Sequence, residues 1–450
     1  MFAKRSLIIL LVLVALVASS LGVINAQEPS AIKIAVMGQD DIPSLDPSLA
    51  DAVSGIQVLT MLMPGLTILN ESTVAVEPGL AESWTAETQE DGTVVYTFKL
   101  YEGISWVKYD AAAGEVVQVT DENGDVRYVT AADVLFGIQR SLNPETLSYY
   151  GEVLAQWVVG GEEMISIEVG EEGVDADALA AAKEALGVKA TGEYEIQIVA
   201  PGEFAFLTNI YGMWMAVPQP AWAIEEYGEA WTEAANINTY GPYALKDWSH
   251  DESVTFIVNP FWAGTPYIPA PQIAEVTNVF LEQSAMVANF EAGELQFIQP
   301  VAPNDVDRVA VEYPDQFRTG SDTCTYYYGF NTEKAPFDNV HARRAFSLAI
   351  DRDIISSLRK SGDAPAAFFT RPDMVAAPQQ ADWADTEVGL LTAPPEEREA
   401  AAKAELEAYF ADTGLTMDTM PAVTLQYNDN ETHALVAEVV QEMFANVLGV

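Results

Sequence analysis

The sequence predicts a mixed α/β protein of more than one lobe, and three observations carry this. The chain has 450 residues, and about 424 remain once an N-terminal export segment is set aside, more than one ordinary domain holds. Strand-like alternation and helical spacing intermix without strict βα repetition, which points to several sheets rather than one doubly wound sheet. Hydrophobic residues make up 49% and aromatics 10%, enough for a real core, which excludes a disordered chain.

The elements follow in order. Ala31–Met37 alternates like a strand entering a sheet, and Val94–Leu100 alternates after the turn Glu90-Asp91-Gly92. Ala131–Leu142 has helical spacing, with Thr130 as N-cap and Asp133 in the first turn, where a carboxylate favours the helix dipole. Ala176–Leu186 is a helix that Gly187 can end, and Glu193–Val199 alternates again. Tyr243–Trp248 and Ser253–Val258 read as a hairpin. Gln283–Ala292 is a helix ending at Gly293, Thr325–Asn331 a strand and Val340–Arg359 one long helix. Pro394–Phe410 is a helix, Val423–Tyr427 a strand, and Thr432–Val447 a helix ending at Gly449. A helix ending on Gly and turning apolar leads into a strand, so a further C-terminal piece is expected.

At the N-terminus Lys4 and Arg5 precede an apolar run from Leu7 to Val23, then Ile24-Asn25-Ala26 and the polar Gln27-Glu28-Pro29. That pattern reads as a secretory signal peptide over 1–26, cleaved after Ala26. Seventeen apolar or small residues also lie at the short edge of a membrane span, so a retained anchor stays open as the alternative. The remainder is expected to be soluble, extracytoplasmic and monomeric.

Removing Lys4 and Arg5 from the 21 basic residues leaves 19 against 67 acidic, a net of −48. Such a surface repels nucleic acid and anionic lipid, so neither is expected as a partner. It suits either cationic ligands or a solvated acidic shell, and the even spread of acids favours the shell. Cys324 is the one cysteine, and the histidines are His250, His341 and His433, none at metal-ligand spacing. Zinc-protease, nucleophile-elbow, phosphate-loop and CxxC motifs are lacking, so no catalysis, cofactor or metal is expected. Asp121-Glu122-Asn123-Gly124-Asp125 has its Gly at the wrong position for a calcium loop. Between Val116–Thr120 and Val126–Thr130 it reads as a hairpin turn.

Several short motifs occur in a fixed order. They are Ser44-Leu45-Asp46-Pro47, Glu77-Pro78-Gly79-Leu80-Ala81-Glu82-Ser83-Trp84, Tyr96-Thr97-Phe98-Lys99-Leu100 with Trp106, and Thr130-Ala131-Ala132-Asp133-Val134. Gly187-Val188-Lys189-Ala190, Gly241-Pro242-Tyr243-Ala244-Leu245, Asn259-Pro260 and Ala335-Pro336-Phe337-Asp338 follow, and then Ala349-Ile350-Asp351-Arg352. Singly they are weak. As an ordered set they resemble the family 5 extracellular solute-binding proteins, the peptide-binding components of ABC importers. The stretch from Cys324-Thr325-Tyr326-Tyr327-Tyr328 to Ile355 is especially similar to the oligopeptide-binding branch.

The resemblance implies a type II periplasmic-binding-protein fold: two lobes joined by a hinge near Ser321–Thr325, closing on a solute that a permease then receives. It implies residues 27–66 and 190–322 in lobe I, an extra subdomain over 67–189, and an incomplete lobe II over 323–450. It places Asp51, Val53, Tyr150 and Tyr327 at the ligand. Val53 would act through its backbone as an added strand does, and Tyr150 through an amphipathic ring. Asp51 also reads as a solvated loop carboxylate. Gly329 departs from a carboxylate in the oligopeptide-binding branch, so side-chain preference is expected to differ. The long step from Trp106 to Thr130 implies an extra hairpin on the subdomain surface. The family's aspartate for the peptide's α-amino group, and a cysteine partner for Cys324, are expected beyond Val450. Oligosaccharides or metal chelates are the alternative ligands, and the scarcity of histidines disfavours nickel. The family's lipid-attachment cysteine has no counterpart in residues 1–30.

Trp84, Phe98 and Trp106 read as core aromatics, and Arg343, Arg344 and Arg352 as partners of surface carboxylates.

Overall fold

A computed structural model describes residues 30–70, 72–171, 173–320, 324–370 and 387–450. The export segment and residues 321–323 of the expected crossover lie outside these. Two compact units are present, Met1–Phe280 and Leu281–Val450.

In the first unit, β1 (Ser30–Ala35) leads through a long loop to α1 (Val53–Leu62). The short pair β2 (Thr67–Leu69) and β3 (Val76–Pro78) precedes β4 (Ala81–Thr88), β5 (Val94–Leu100), β6 (Val107–Asp110) and β7 (Glu115–Gln118). Then come α2 (Ala131–Ser141), α3 (Ala176–Ala185), β8 (Val188–Gly192) and β9 (Glu195–Ala200). The unit ends with β10 (Tyr243–Ser249), β11 (Ser253–Val258) and β12 (Ile273–Val279).

Strands β10, β11, β12 and β1 are neighbours in the main sheet. β11 runs antiparallel to β10 and β12. β1 runs parallel to β12, with Ile32 opposite Val276 and Ile34 opposite Asn278. Past the end of β1, the buried Asn278 side chain accepts the Val36 N–H at 2.9 Å. A side chain there does what the ladder no longer can, and it aims the following loop.

The second sheet is antiparallel, in the order β8-β9-β5-β4. Its period of two is visible in burial: Val94, Tyr96, Phe98 and Leu100 of β5 face the core, as do Ile196, Ile198 and Ala200 of β9. Lys189 lies within β8, and β9 pairs with both β8 and β5, so this sheet continues to Ala200. Phe98 and Trp106 are fully buried, and Trp84 packs half-buried against the same core.

Helix α2 starts where Thr130 ends an extended segment. The Thr130 N–H and hydroxyl both donate to the Asp133 carboxylate, at 2.8 and 3.0 Å. Burial pushes the Asp133 carboxyl up, against the bonds from Thr130. Gly137 permits close packing on this helix, since a Cβ there would lie 2.1 Å from the Val217 carbonyl oxygen.

The extra hairpin is β6-β7. It packs on the main sheet, not on the subdomain surface: Val107 and Val116 cluster with Ala244, flanked by Tyr109 and Ile257. The Asp121 turn is present, its carboxylate accepting the N–H groups of Asn123 and Asp125 at 2.8 and 2.9 Å. Beside it Thr120 and Val126 form an antiparallel bridge, flanked by Asp121 N–H on Asp125 O and Arg127 N–H on Val119 O, both at 2.8 Å, so the expected hairpin turn is present in short form. The chain after the turn also bonds to the segment before β6, with Trp106 N–H on Arg127 O and Val129 N–H on Ile104 O.

The second unit contains α4 (Gln283–Glu291), α5 (Pro303–Glu312), α6 (Val340–Ala349), α7 (Arg352–Arg359), α8 (Pro395–Thr413) and α9 (Glu431–Leu448). Phe346, Ala349, Ala402, Leu406, Tyr409 and Val447 form its core. The expected long helix over 340–359 is two helices. Asp351 N-caps the second by accepting the Ile354 N–H at 3.1 Å, and its other oxygen takes the buried Arg398 guanidinium at 2.8 Å.

Thr325–Asn331 and Val423–Tyr427 are not strands. Tyr326 and Tyr328, i and i+2 on an extended chain, meet edge-on at 5.7 Å. Alternation makes a segment competent to pair, but a ladder also needs a neighbour's N–H and C=O groups. Arg343 and Arg352 also differ from expectation. They donate to main-chain carbonyls, Phe337 O for the first and Ser347 O for the second, while Arg344 lies 3.9 Å from Glu405.

Candidate functional site

The site is built on the loop between β1 and α1. Pro47 and the small polar residues around it favour a turn. The Leu49 and Ala50 N–H groups donate to Asp46 O at 2.9 and 2.8 Å, and the Asp46 carboxylate accepts the Ser48 N–H at 2.9 Å. The turn read from Asp46-Pro47 is therefore present.

The Asp46 side chain has a further role. It is buried, and Arg140 in the last turn of α2 grips it bidentately at 2.5 and 2.6 Å. The Trp231 indole donates to the same carboxylate at 2.9 Å. Arg140 also donates to Gln219 Oε1 at 2.9 Å, and Gln219 Nε2 donates to Ser48 Oγ at 2.8 Å. The Ser141 hydroxyl donates to Met215 O at 2.7 Å, so Ser48 donates to Ser141 across their 2.9 Å contact. Every member of this buried network has a partner, the condition under which such networks rigidify a fold.

At the other end of the loop Asp41 accepts the Trp248 indole N–H at 2.7 Å and meets His250 Nδ1 at 2.6 Å. His250 Nε2 lies 3.3 Å from Glu233. Burial works against the Asp41 charge, but bonds from Trp248 and His250 outweigh it and hold the carboxyl below its ordinary range. The Asp41 bond, aided by Glu233, raises the His250 pKa.

Between these anchors and α1 lie the expected site residues. Asp51 is exposed just past the buried Ala50. Val53 is 71% exposed and opens α1, with Ala52 as N-cap. As a helical residue, Val53 offers an N–H lacking an intrahelical acceptor, not the paired N–H and C=O of a strand. Tyr150 is half-buried at the end of the loop after the 3-10 turn Pro144–Thr146. Its ring meets Trp214 at 4.8 Å and Tyr149 at 5.2 Å. The Trp214 indole N–H donates to Ala50 O at 2.9 Å. One residue therefore links the Ala50–Val53 segment to Tyr150, about a hundred positions away in sequence.

Tyr327 belongs to the second unit. It is 64% exposed, with its ring edge-on to Phe369 at 5.1 Å. Open space surrounds the position a Cβ would take at Gly329. Among the described residues no group of acidic, histidine or cysteine side chains could hold a metal ion.

Sequence reasoning missed Arg140, Gln219 and Trp214. Gln219 carried a usable signal, as the one amide in the apolar and proline-rich run Met213–Pro220. A polar side chain in such a run needs a buried partner.

The fold is that of the type II periplasmic binding proteins. The model of the bacterial extracellular solute-binding proteins, family 5 (Middle), matches residues 75–450. The chain belongs to that family. It is 28% identical over 463 residues to the periplasmic oligopeptide-binding protein OppA of Salmonella typhimurium, covering 99% of this chain and 75% of the relative. Among solved structures, the murein tripeptide binding protein MppA of Escherichia coli superposes with a TM-score of 0.76 at 26% identity, over 94% of this chain and 74% of that one. Haemophilus influenzae OppA in complex with RPPGFSPFR gives 0.71 at 25% identity, over 93% and 74%. These neighbours carry the type II periplasmic-binding-protein fold. Among the described residues no helix is long and apolar enough to cross a membrane.

Proposed function

We propose that this protein captures peptides outside the cytoplasmic membrane, by closure of its lobes, and delivers them to the permease of an ABC importer, without catalysis. The observation that carries the reading is the family match over residues 75–450, together with a peptide-bound relative of similar fold. In this reading Asp51, the backbone around Val53, Tyr150 and Tyr327 meet the ligand. An amphipathic ring such as Tyr150 supplies contact area at low entropic cost, which suits varied peptide side chains. Residues 1–26 act as the export signal.

The test is a thermal-shift panel of di- to pentapeptides against oligosaccharides. A peptide at a hundred times its Kd stabilises the bound form by about 2.7 kcal/mol, a rise of a few degrees in Tm. Shifts with oligosaccharides and none with peptides would overturn the reading.

A further inference from the structure

We infer that Trp214 is a positioning residue that sets the Ala50–Val53 segment and the Tyr150 ring as one unit. This deepens the peptide-capture reading and rests on it for its binding arm.

Trp214 opens a one-turn 3-10 segment, Trp214–Ala216, whose neighbour Met215 is fully buried and whose main chain is tied to the polar network through Ser141. The indole is therefore carried on a part of the fold that is itself anchored. Its two contacts differ in kind. Toward the first segment it donates its N–H to the carbonyl of the buried Ala50. A buried carbonyl needs a donor, and its orientation follows the donor it has. Toward the second it presents the ring, edge-to-face with Tyr150 at an interplanar angle of 74°.

The outer neighbours of both contacts face solvent. Asp51 follows Ala50 directly, and Tyr149, 72% exposed, packs on Tyr150 at 79°. Trp214, Tyr150 and Tyr149 thus form a three-ring ladder from the half-buried Trp214 out to the exposed Tyr149, beside a main-chain segment fixed by the same indole. A peptide that used both would have its backbone register and its side-chain pocket set together. Apolar or aromatic ligand side chains would be read at the ladder.

The experiment uses Trp214→Phe, which keeps a ring for Tyr150 and removes the N–H for Ala50, and Tyr150→Leu, which removes the aromatic partner. The first arm is amide hydrogen exchange on the unliganded full chain. Trp214→Phe is expected to speed exchange in residues 50–56 and 147–151 and to leave β5 unchanged. An even change across the first unit, or none, overturns the proposal, because a purely structural role spreads through the core. The second arm is calorimetry with the best peptide of the panel. Each single variant is expected to weaken Kd about five- to tenfold, and the double variant by clearly less than the product. Strict additivity, or an unchanged Kd in Trp214→Phe, overturns it. Faster exchange at both segments with no peptide binding to the unaltered protein would leave the positioning role standing and sink peptide capture instead.

Discussion

The two units each bury an Asp–Arg pair at a turn, and the pairs differ in what is attached to them. In the first unit Asp46 and Arg140 meet bidentately, and Trp231, Gln219 and Ser48 complete the shell. In the second, Asp351 and Arg398 meet through one 2.8 Å contact, and Arg398 also serves the Leu348 carbonyl. The Asp46 pair fixes a loop that leads to the candidate site, whereas the Asp351 pair splits one helix pattern into two helices. Burial works against the Asp351 charge, but Arg398 and the cap at Ile354 hold its carboxyl below the ordinary range. The same chemistry thus anchors a functional loop in one unit and a helix break in the other, and the surrounding hydrogen bonds decide which.

Four measurements would break or sharpen this contrast, from the largest expected effect to the smallest. Arg140→Met leaves Asp46 buried without its counter-charge, and is expected to cost about 3–5 kcal/mol in urea unfolding. Arg398→Met is expected to destabilise by a similar amount. Only the Arg140 change should also abolish peptide binding at temperatures where the protein stays folded. Equal loss of binding in both variants would erase the distinction between the two pairs.

Tyr150→Ala is expected to weaken peptide binding about tenfold, and Tyr327→Ala by threefold or less, in isothermal titration. The reasoning is that the ring packed on Trp214 loses more ordered contact than the ring standing in solvent. A reversed order would place the anchor in the second unit.

Asn430→Ala removes the cap of α9, whose Oδ1 accepts the Thr432 and His433 N–H groups. A loss of about 1 kcal/mol is expected in denaturant unfolding, without effect on the exchange of residues 50–56.

The smallest effect concerns the loop's other anchor. The folded His250 pKa is raised above the ordinary 6.5, so its contribution to stability is fully present below 6.5 and lost as pH rises through the raised value. The Asp41 carboxyl is lowered below 3.8, so its contribution is present above 3.8 and lost as pH falls through the lowered value. The clamp should therefore be strongest in mildly acidic solution. Titration of the His250 ring by NMR is expected to give a midpoint above 6.5. A midpoint at or below it would leave the loop held by Trp248 and the Asp46 network alone.

Much of the architecture was legible in local pattern. β5 occupies the residues its alternation marks, α2 begins at its Thr130 cap and α9 ends at Gly449, while α8 runs on to Thr413, past the expected Phe410. These features depend on contacts within a few positions. The misreadings share a cause. The break at Asp351 was hidden because Arg398, far along the chain, supplies the charge that favours the cap. The alternating runs 325–331 and 423–427 were taken as strands because a pattern states which side chains can share a face and is silent about a partner ladder.

The candidate site divides the same way. Family resemblance pointed to Asp51, Val53, Tyr150 and Tyr327, and composition argued against nucleic acid and nickel as partners. The sequence by itself determined the mixed α/β class, the export signature, the acidic surface and the caps, since each follows from neighbouring residues or a whole-chain sum. Tertiary structure alone decided that Arg140 reaches Asp46, that the extra hairpin lies on the main sheet, and that Trp214 joins Ala50 to Tyr150. The physical reason is that buried hydrogen bonds and ion pairs are chosen by which polar groups the folded chain deprives of water, and that is set by packing rather than by sequence distance.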